Sequence, residues 1–453
     1  MIPKEFLRRN KYLILIVATG ILLRAIFFAA TFYNFGDKGF YPHNSEDSEQ
    51  YFQLARNLVL HNVFSLDSAP PFGNEIFRVP GYPFFISLFY RIIPAAWPAI
   101  IFQNLLAIAI VILIYAMAVL LFQNKSVALI AAGIYAFEPG VIYWNNQLLS
   151  ETLFTFLIFL AAYLFLRNIM SRQKFILPTA LSVGALVSFA NYTRPTAQFT
   201  LLIFLIFVFL NLGAGRRNIV KSLCSALLIL MSFAVLSAPW VIRNKIIANT
   251  YDFSSSSSDL GFRQYLWMMY ENRGEDPTKL DLTGSELKLE TVKYIARHPF
   301  SFLEVHLANL APFFMGDSYF TAAATIYPPL ERQRVTMETW FHSWNQIYDG
   351  FKNHKGAEAV LFFGGKAVLL LLNIFILAGI IYWFFLFKKK IIELIFLISL
   401  IYYFVLATGP RAYSRFRQAA NPYIFILVAL GIYWLREYLK SRKTKLIGTK
   451  NSV

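Results

Sequence analysis

The chain has 453 residues with 42 Lys and Arg against 25 Asp and Glu, a net charge of +17, and is 57% hydrophobic, 17% aromatic and 15% charged. Soluble domains carry about a quarter charged residues, so this composition excludes an ordinary soluble protein. A large share of the positive charge lies in short connections between apolar runs, which argues against a nucleic-acid binder and marks membrane topology instead.

Apolar runs of roughly 18 or more residues need a bilayer core around them and can only be helices there. In chain order they predict spans over 12–33, 96–121, 126–142, 148–166, 175–191, 196–212, 219–240, 360–387, 391–408 and 421–438. The fold class is an all-α polytopic membrane protein, a bundle of about ten transmembrane helices. The first run follows a basic start and lacks a small-residue cleavage site, so it is expected to be a retained span. Lys4, Arg8, Arg9 and Lys11 precede it. Arg167, Arg172 and Lys174, then Arg216, Arg217 and Lys221, then Lys388, Lys389 and Lys390, and the tail from Arg436 to Lys450 fall in later connections. An inside amino terminus puts all of these on the cytoplasmic side.

Two segments then remain outside, about 34–95 and about 243–359. The division is 1–242, a transmembrane module with the first outer loop; 243–359, an outer-face domain; and 360–453, closing helices with a basic tail. In the first outer segment Tyr51, Leu54, Ala55, Leu58 and Val59 keep the spacing of an amphipathic helix lying in the interface. In the second, Leu289, Val292, Ile295 and Ala296 form a similar stripe, and His298-Pro299 breaks that helix before an apolar stretch to Phe314. Ser254 to Ser258 is the one low-complexity patch.

Asn44-Ser45-Glu46-Asp47-Ser48-Glu49-Gln50-Tyr51 sets three carboxylates ahead of the interfacial helix. Desolvation at the membrane edge suits a carboxylate to general-base work. Asp47 with Gln50 also fits a capping box. Phe77-Arg78-Val79-Pro80-Gly81-Tyr82-Pro83 is a fixed turn. Arg78 there fits bidentate contact with a phosphate, or snorkelling to headgroups. Arg194, Arg243 and the group Arg411, Arg415 and Arg417 sit at outer ends of spans, where basic residues should be scarce; their clustering favours an anion site. Arg24 lies inside the first span at a cost of about 2.5–3.5 kcal/mol, so it is expected to face the interior and pair with a carboxylate such as Glu151. Glu138 and Glu151 flank a short outer loop; either fits a second active-site carboxylate, Glu151 also a structural partner for an arginine. The six histidines show no zinc spacing, Cys224 stands alone, and no nucleotide-type glycine pattern occurs.

Together these segments resemble the bacterial GT-C glycosyltransferases related to protein O-mannosyltransferases and aminoarabinose transferases. The resemblance rests on Asp47 to Tyr51 continuing into Leu54-Ala55-Arg56-Asn57-Leu58, on Phe77 to Pro83, on Leu149-Ser150-Glu151-Thr152-Leu153-Phe154, on Pro239-Trp240 through Arg243-Asn244, and on Ser414-Arg415-Phe416-Arg417 before Asn421-Pro422. It implies two interfacial helices in the first outer loop and an active site on the outer, periplasmic or extracellular face of a bacterial inner membrane. It implies Asp47 as base and Arg78 near a donor phosphate; Tyr82, Arg194, Arg243, Arg415 and Arg417 are further candidates for that phosphate, with Arg24, Glu138 and Glu151 in support. Many relatives carry Asp-Glu where this chain has Glu46-Asp47, so Glu46 is a second candidate base. The implied partners are a polyprenyl-phosphate-linked sugar, a glycan, lipid or protein acceptor, and membrane lipids, with no nucleic acid. No cofactor is required, and a divalent metal is allowed but not indicated. The competing classes are a transporter or lipid flippase, and a surface-polysaccharide polymerase or ligase.

Overall fold

In the computed structural model, residues 8, 10–42, 46–170, 177–211, 216–277, 282–316, 318–328, 356–387, 390–408 and 413–450 are described. Asn44 and Ser45, the loop residues Arg172, Lys174, Lys388 and Lys389, Arg411, and residues 329–355 lie outside them.

Among the described residues every regular element is helical. The expected spans appear as α1 Lys11–Phe35, α4 Trp97–Phe122, α5 Lys125–Phe137 with α6 Pro139–Asn145, α7 Glu151–Met170, α8 Leu177–Thr193, α9 Ala197–Asn211, α10 Arg216–Ala248, α15 Ala357–Leu386, α16 Ile391–Thr408 and α17 Asn421–Lys450. Between them lie α2 Asp47–Leu60 and α3 Gly81–Tyr90 in the first outer segment. The second holds α11 Ser255–Asn272, α12 Gly284–Arg297, α13 Pro299–Met315 and α14 Tyr319–Ile326.

Ten apolar helical segments thus stand where ten were expected, and among the described residues seven of them are long and apolar enough to cross a bilayer alone. An eighth is the pair α5–α6, bent by 57°. Pro139 opens α6 and Glu138 accepts the Val141 N–H at 2.5 Å, so the chain restarts a helix there instead of continuing one. The remaining two, α8 and α9, have 17 and 15 residues. Over the described residues, at 1.5 Å per residue, they are shorter than a core about 30 Å thick.

The centre of the bundle is α17. Tyr423 to Leu430 are all buried in succession, which a helix shows only when other helices surround it. Its closest neighbour is α15: a Cβ on Gly379 would lie 2.1 Å from the Leu427 carbonyl oxygen, and one on Gly431 2.2 Å from that of Phe375. Two glycines therefore set how near these backbones come. Leu15, Leu22, Leu202, Ile206, Leu377 and Phe385 face outward and supply the apolar surface a lipid solvent requires.

The first outer segment folds onto the bundle's rim. Asp37 caps α4 from a distance, its carboxylate accepting the backbone N–H groups of Ala96 and Trp97 at 2.9–3.0 Å. Ser48 Oγ donates to the Leu148 carbonyl at 2.8 Å, and Leu148 N to that of Phe40 at 2.7 Å. Of the α2 stripe, Tyr51, Leu54 and Ala55 are buried, while Leu58 and Val59 are half-buried. The two short helices α2 and α3 pack together over a cluster including Phe40, Tyr82 and Ile86.

The α12 stripe turns out differently. Leu289 and Val292 are exposed, whereas Leu287, Thr291 and Tyr294 are buried against Leu266 and Met269 of α11 and Val305 of α13. Ile295 of the stripe is half-buried and packs against the same cluster. Helix α13 does begin at Pro299, as the His298-Pro299 break predicts. Helix α14 returns to the first span, where Asn34 Nδ2 donates to the carbonyls of Thr325 at 3.0 Å and Ile326 at 3.1 Å.

Candidate active site

The acidic run and the Arg78 turn meet at the first turn of α2. Asp47 is the first helical residue, and Glu46 before it is exposed and makes no capping bond. The capping box expected of Asp47 and Gln50 does not form, because both side chains bind arginine. Asp47 Oδ1 accepts from Arg78 Nη2 at 2.5 Å, and Gln50 Oε1 from Arg78 Nε at 2.7 Å. Arg78 also lies over the Tyr51 ring, 5.1 Å from its centroid, and over Phe77 at 4.8 Å.

A second arginine reaches the same carboxylate from the far end of the chain. Arg415 Nη2 donates to Asp47 Oδ2 at 2.6 Å, and Arg415 Nε to Glu151 Oε1 at 2.5 Å. Arg194 Nη1 donates to that same Glu151 oxygen at 2.6 Å. Glu151 is 5% exposed, and its other oxygen is buried without a hydrogen-bond partner among the described residues. Three guanidiniums and two carboxylates therefore form one chain, Arg78–Asp47–Arg415–Glu151–Arg194, with one positive charge in excess. Burial alone would raise the Asp47 carboxyl, but Arg415 and Arg78 outweigh it and hold it well below the usual carboxylate range.

The Arg78 turn is built from three directions. Glu75 Oε1 accepts the backbone N–H of Phe77 and, at 3.0 Å, that of Arg78. Ser254 Oγ donates to the Phe77 carbonyl at 2.7 Å. Trp240 Nε1 donates to the Phe253 carbonyl at 2.9 Å, and Asn244 Nδ2 to the carbonyls of Asp252 at 3.0 Å and Phe253 at 3.3 Å. Val79, Trp240 and Phe253 share a small core. Gly81 follows because a Cβ there would stand 2.6 Å from the Tyr192 carbonyl oxygen. That contact brings α3 onto the end of α8, two residues before Arg194.

The other candidates lie around this chain of charges. Tyr82 is buried behind Tyr51, their rings 5.1 Å apart, and its hydroxyl donates to Gln103 Oε1 at 2.9 Å. Arg243 stacks on Trp240 at 4.3 Å and Phe64 at 5.5 Å, on the Glu75 side of the turn. Arg417 is turned away: Nη1 donates to the carbonyls of Phe313 at 2.9 Å and Phe314 at 3.0 Å, closing the end of α13. Glu138 lines a narrow crevice with Arg417 and caps α6.

Arg24 does not meet Glu151. Its Nη1 donates to the carbonyls of Ala136 at 2.9 Å and Gly20 at 3.3 Å, and its Nη2 to Asn145 Oδ1 at 3.2 Å. The Ala136 carbonyl belongs to the last turn of α5, which the break at Glu138 leaves open for a cation, while Glu151 is already taken by Arg194 and Arg415.

Among the described residues no three His, Cys, Asp or Glu side chains gather as a metal would need. The two carboxylates at the site are each engaged by guanidiniums.

Residues 78–242 match the family model described as dolichyl-phosphate-mannose-protein mannosyltransferase, well under half of the chain. That stretch holds Arg78, Glu151 and Arg194, but neither Asp47 nor Arg415. No curated protein matches the chain. Among solved structures, the Archaeoglobus fulgidus oligosaccharyltransferase in its complex with Zn and sulfate is similar with a TM-score of 0.53 and 17% identity, over 96% of this chain and 51% of that one. Its apo form gives 0.51 and 16%, over 95% and 52%. The archaeal oligosaccharyltransferase AglB of the same organism, in complex with an inhibitory peptide and a dolichol-phosphate, gives 0.50 and 14%, over 99% and 52%. The chain spans about half the length of these structures, and at such identities the likeness is one of fold. This chain is a multi-pass membrane protein with the GT-C fold.

Proposed function

We propose that the chain is a membrane glycosyltransferase that moves a sugar from a polyprenyl-phosphate carrier to an acceptor hydroxyl on the outer face of the membrane. The observation that carries this reading is the convergence of Arg78 and Arg415, from opposite ends of the sequence, on the Asp47 carboxylate at the rim of the bundle. A base and a pair of phosphate-binding guanidiniums within a few ångströms of one another are what such a transfer needs. The family match over 78–242 and the dolichol-phosphate of a neighbour with the same fold favour a lipid-linked donor.

In the reaction, Asp47 takes the proton of the acceptor hydroxyl, and the acceptor oxygen attacks the anomeric carbon from the face opposite the phosphate. The glycosidic C–O bond breaks and its electron pair stays with the phosphate oxygen. Sugar is transferred with inversion, and polyprenyl phosphate leaves with one more negative charge than it brought. Arg78 and Arg415 take up that charge; the leaving group is competent without a metal ion. Glu151 acts through Arg415 and Arg194 as a positioning residue, and Gln50, Tyr51 and Glu75 act through Arg78. The net positive excess of the charge chain draws an anion, and the acceptor approaches from the aqueous side.

Asp47→Asn tests the base. Turnover of a polyprenyl-phosphate sugar by purified, reconstituted protein is expected to fall about 10²–10⁴-fold, the range a positioned general base contributes. Turnover within a few-fold of wild type in a folded variant removes Asp47 from the mechanism.

A further inference from the structure

We propose that Asp47 is also an internal competitor of the donor phosphate: its carboxylate holds the arginine pair that the phosphate must take, so donor entry releases the base and the recharged carboxylate competes with the product. The inference rests on the reading above, that Arg78 and Arg415 bind the donor phosphate.

The geometry makes the two anions rivals. Each oxygen of Asp47 is bonded to the Nη2 of a different arginine, Oδ1 to Arg78 and Oδ2 to Arg415. A phosphate bridging those tips uses the same donors. The arginines themselves need not travel to change partner, because each is anchored one atom further back. Arg78 Nε is held by Gln50 at 2.7 Å, with the guanidinium lying on the Tyr51 ring. Arg415 Nε is held by Glu151, which Arg194 holds in turn. What changes on exchange is the partner of the two Nη2 groups and the position of a short carboxylate on the first turn of α2, where the Asp47 side chain is a quarter exposed.

This contact resolves a chemical difficulty. A carboxylate gripped by two guanidiniums has its lone pairs committed and its basicity suppressed, as the direction of the Asp47 shift agrees. It is a poor base as it stands. Once a phosphate takes the arginines, the carboxylate is free to accept a proton, so acceptor activation follows donor binding. During transfer the phosphate passes from a diester to a monoester and gains a negative charge, which strengthens its hold on the arginines while Asp47 is neutralised by the proton it took. When that proton leaves to solvent, the carboxylate recovers its charge and competes for the pair again, which favours release of polyprenyl phosphate. Atoms and charge balance: one proton moves from acceptor to Asp47 to water, and one electron pair from the glycosidic bond to the phosphate.

The test is equilibrium binding of a polyprenyl phosphate of one defined chain length, with the uncharged polyprenol as control, to wild type, Asp47→Asn and Asp47→Ala in detergent. Both variants are expected to bind the phosphate more tightly than wild type, on the order of tenfold, since a like charge at contact distance has been removed, with no change for the polyprenol. Folding of each variant is checked by its thermal transition, and either folded variant suffices. Equal or weaker binding of the phosphate in a folded variant overturns the competition while leaving the donor reading in place. A wild type and variants that all bind phosphate no better than polyprenol overturn both.

Discussion

Glu151 shows how much of this site depends on single side chains. One of its oxygens receives both Arg194 and Arg415, and the side chain is almost wholly buried. Removing its charge leaves two guanidiniums unbalanced in a poorly hydrated place, which costs about 3–5 kcal/mol when one partner of a buried pair is lost. Glu151→Gln should therefore lower the free energy of unfolding in detergent by an amount in that range, and a change below about 1 kcal/mol would show that water reaches the pair. At this scale the sequence was informative about residue types and silent about partners. Asp47 and Arg78 stood out because acidic and basic residues are costly beside lipid, and each lay next to an interpretable helix start or turn. That Asp47 pairs with Arg415, 368 positions away, follows only from the path of the chain. Arg24 was expected opposite a carboxylate for the same reason of cost, yet an open helix end supplied carbonyls that served as well.

Elements place these side chains through backbone contacts that local patterns do not reveal. The Arg78 turn is held by Glu75 from its own segment, by Ser254 from the second outer segment, and by the close approach of Gly81 to α8. The Pro80-Gly81 pair made the turn legible; Glu75, two and three residues ahead of the N–H groups it accepts, is the kind of local acceptor that turn chemistry could have flagged. Glu75→Ala should raise the KM for donor about tenfold with kcat little changed, the pattern of lost ground-state positioning, and Glu75→Gln, which keeps an acceptor oxygen, should restore it. A fall in kcat with unchanged KM would place Glu75 in the chemistry rather than behind Arg78. Between spans, Gly379 and Gly431 fix the α15–α17 approach. Gly379→Ala forces those backbones apart and should destabilise by about 1–3 kcal/mol, as overpacking does; unchanged stability in a denaturation series would mean the pair already has slack. Length and apolarity located all ten helical segments, but not that α5–α6 is bent by 57°. Periodicity located α12 and one apolar stripe on it, whereas the packing of Leu287 and Tyr294 against α11 and α13 shows only in the fold.

Across the whole molecule, one buried helix, α17, gathers the bundle, and the 3₁₀ turn Phe416–Ala419 just before it carries Arg415 to the rim. Residues near both ends of the chain thereby share one site with residues from its middle. The same arrangement explains why the resemblance to GT-C enzymes lay scattered through the sequence in short pieces: each piece comes from a different helix end, and the pieces meet only at the rim. The basic connections and tail from which the orientation is expected lie apart from that site in sequence. The most direct check of the account is native mass spectrometry of wild type and Arg78→Ala with a panel of polyprenyl-phosphate sugars. Wild type should retain a lipid-linked sugar, whose mass gives the sugar's composition, and Arg78→Ala should hold it at least about tenfold more weakly, as loss of a charge-assisted phosphate contact requires. A folded wild type that retains none of these lipids, or a variant that retains them equally well, would contradict the assignment of this site to a polyprenyl-phosphate donor.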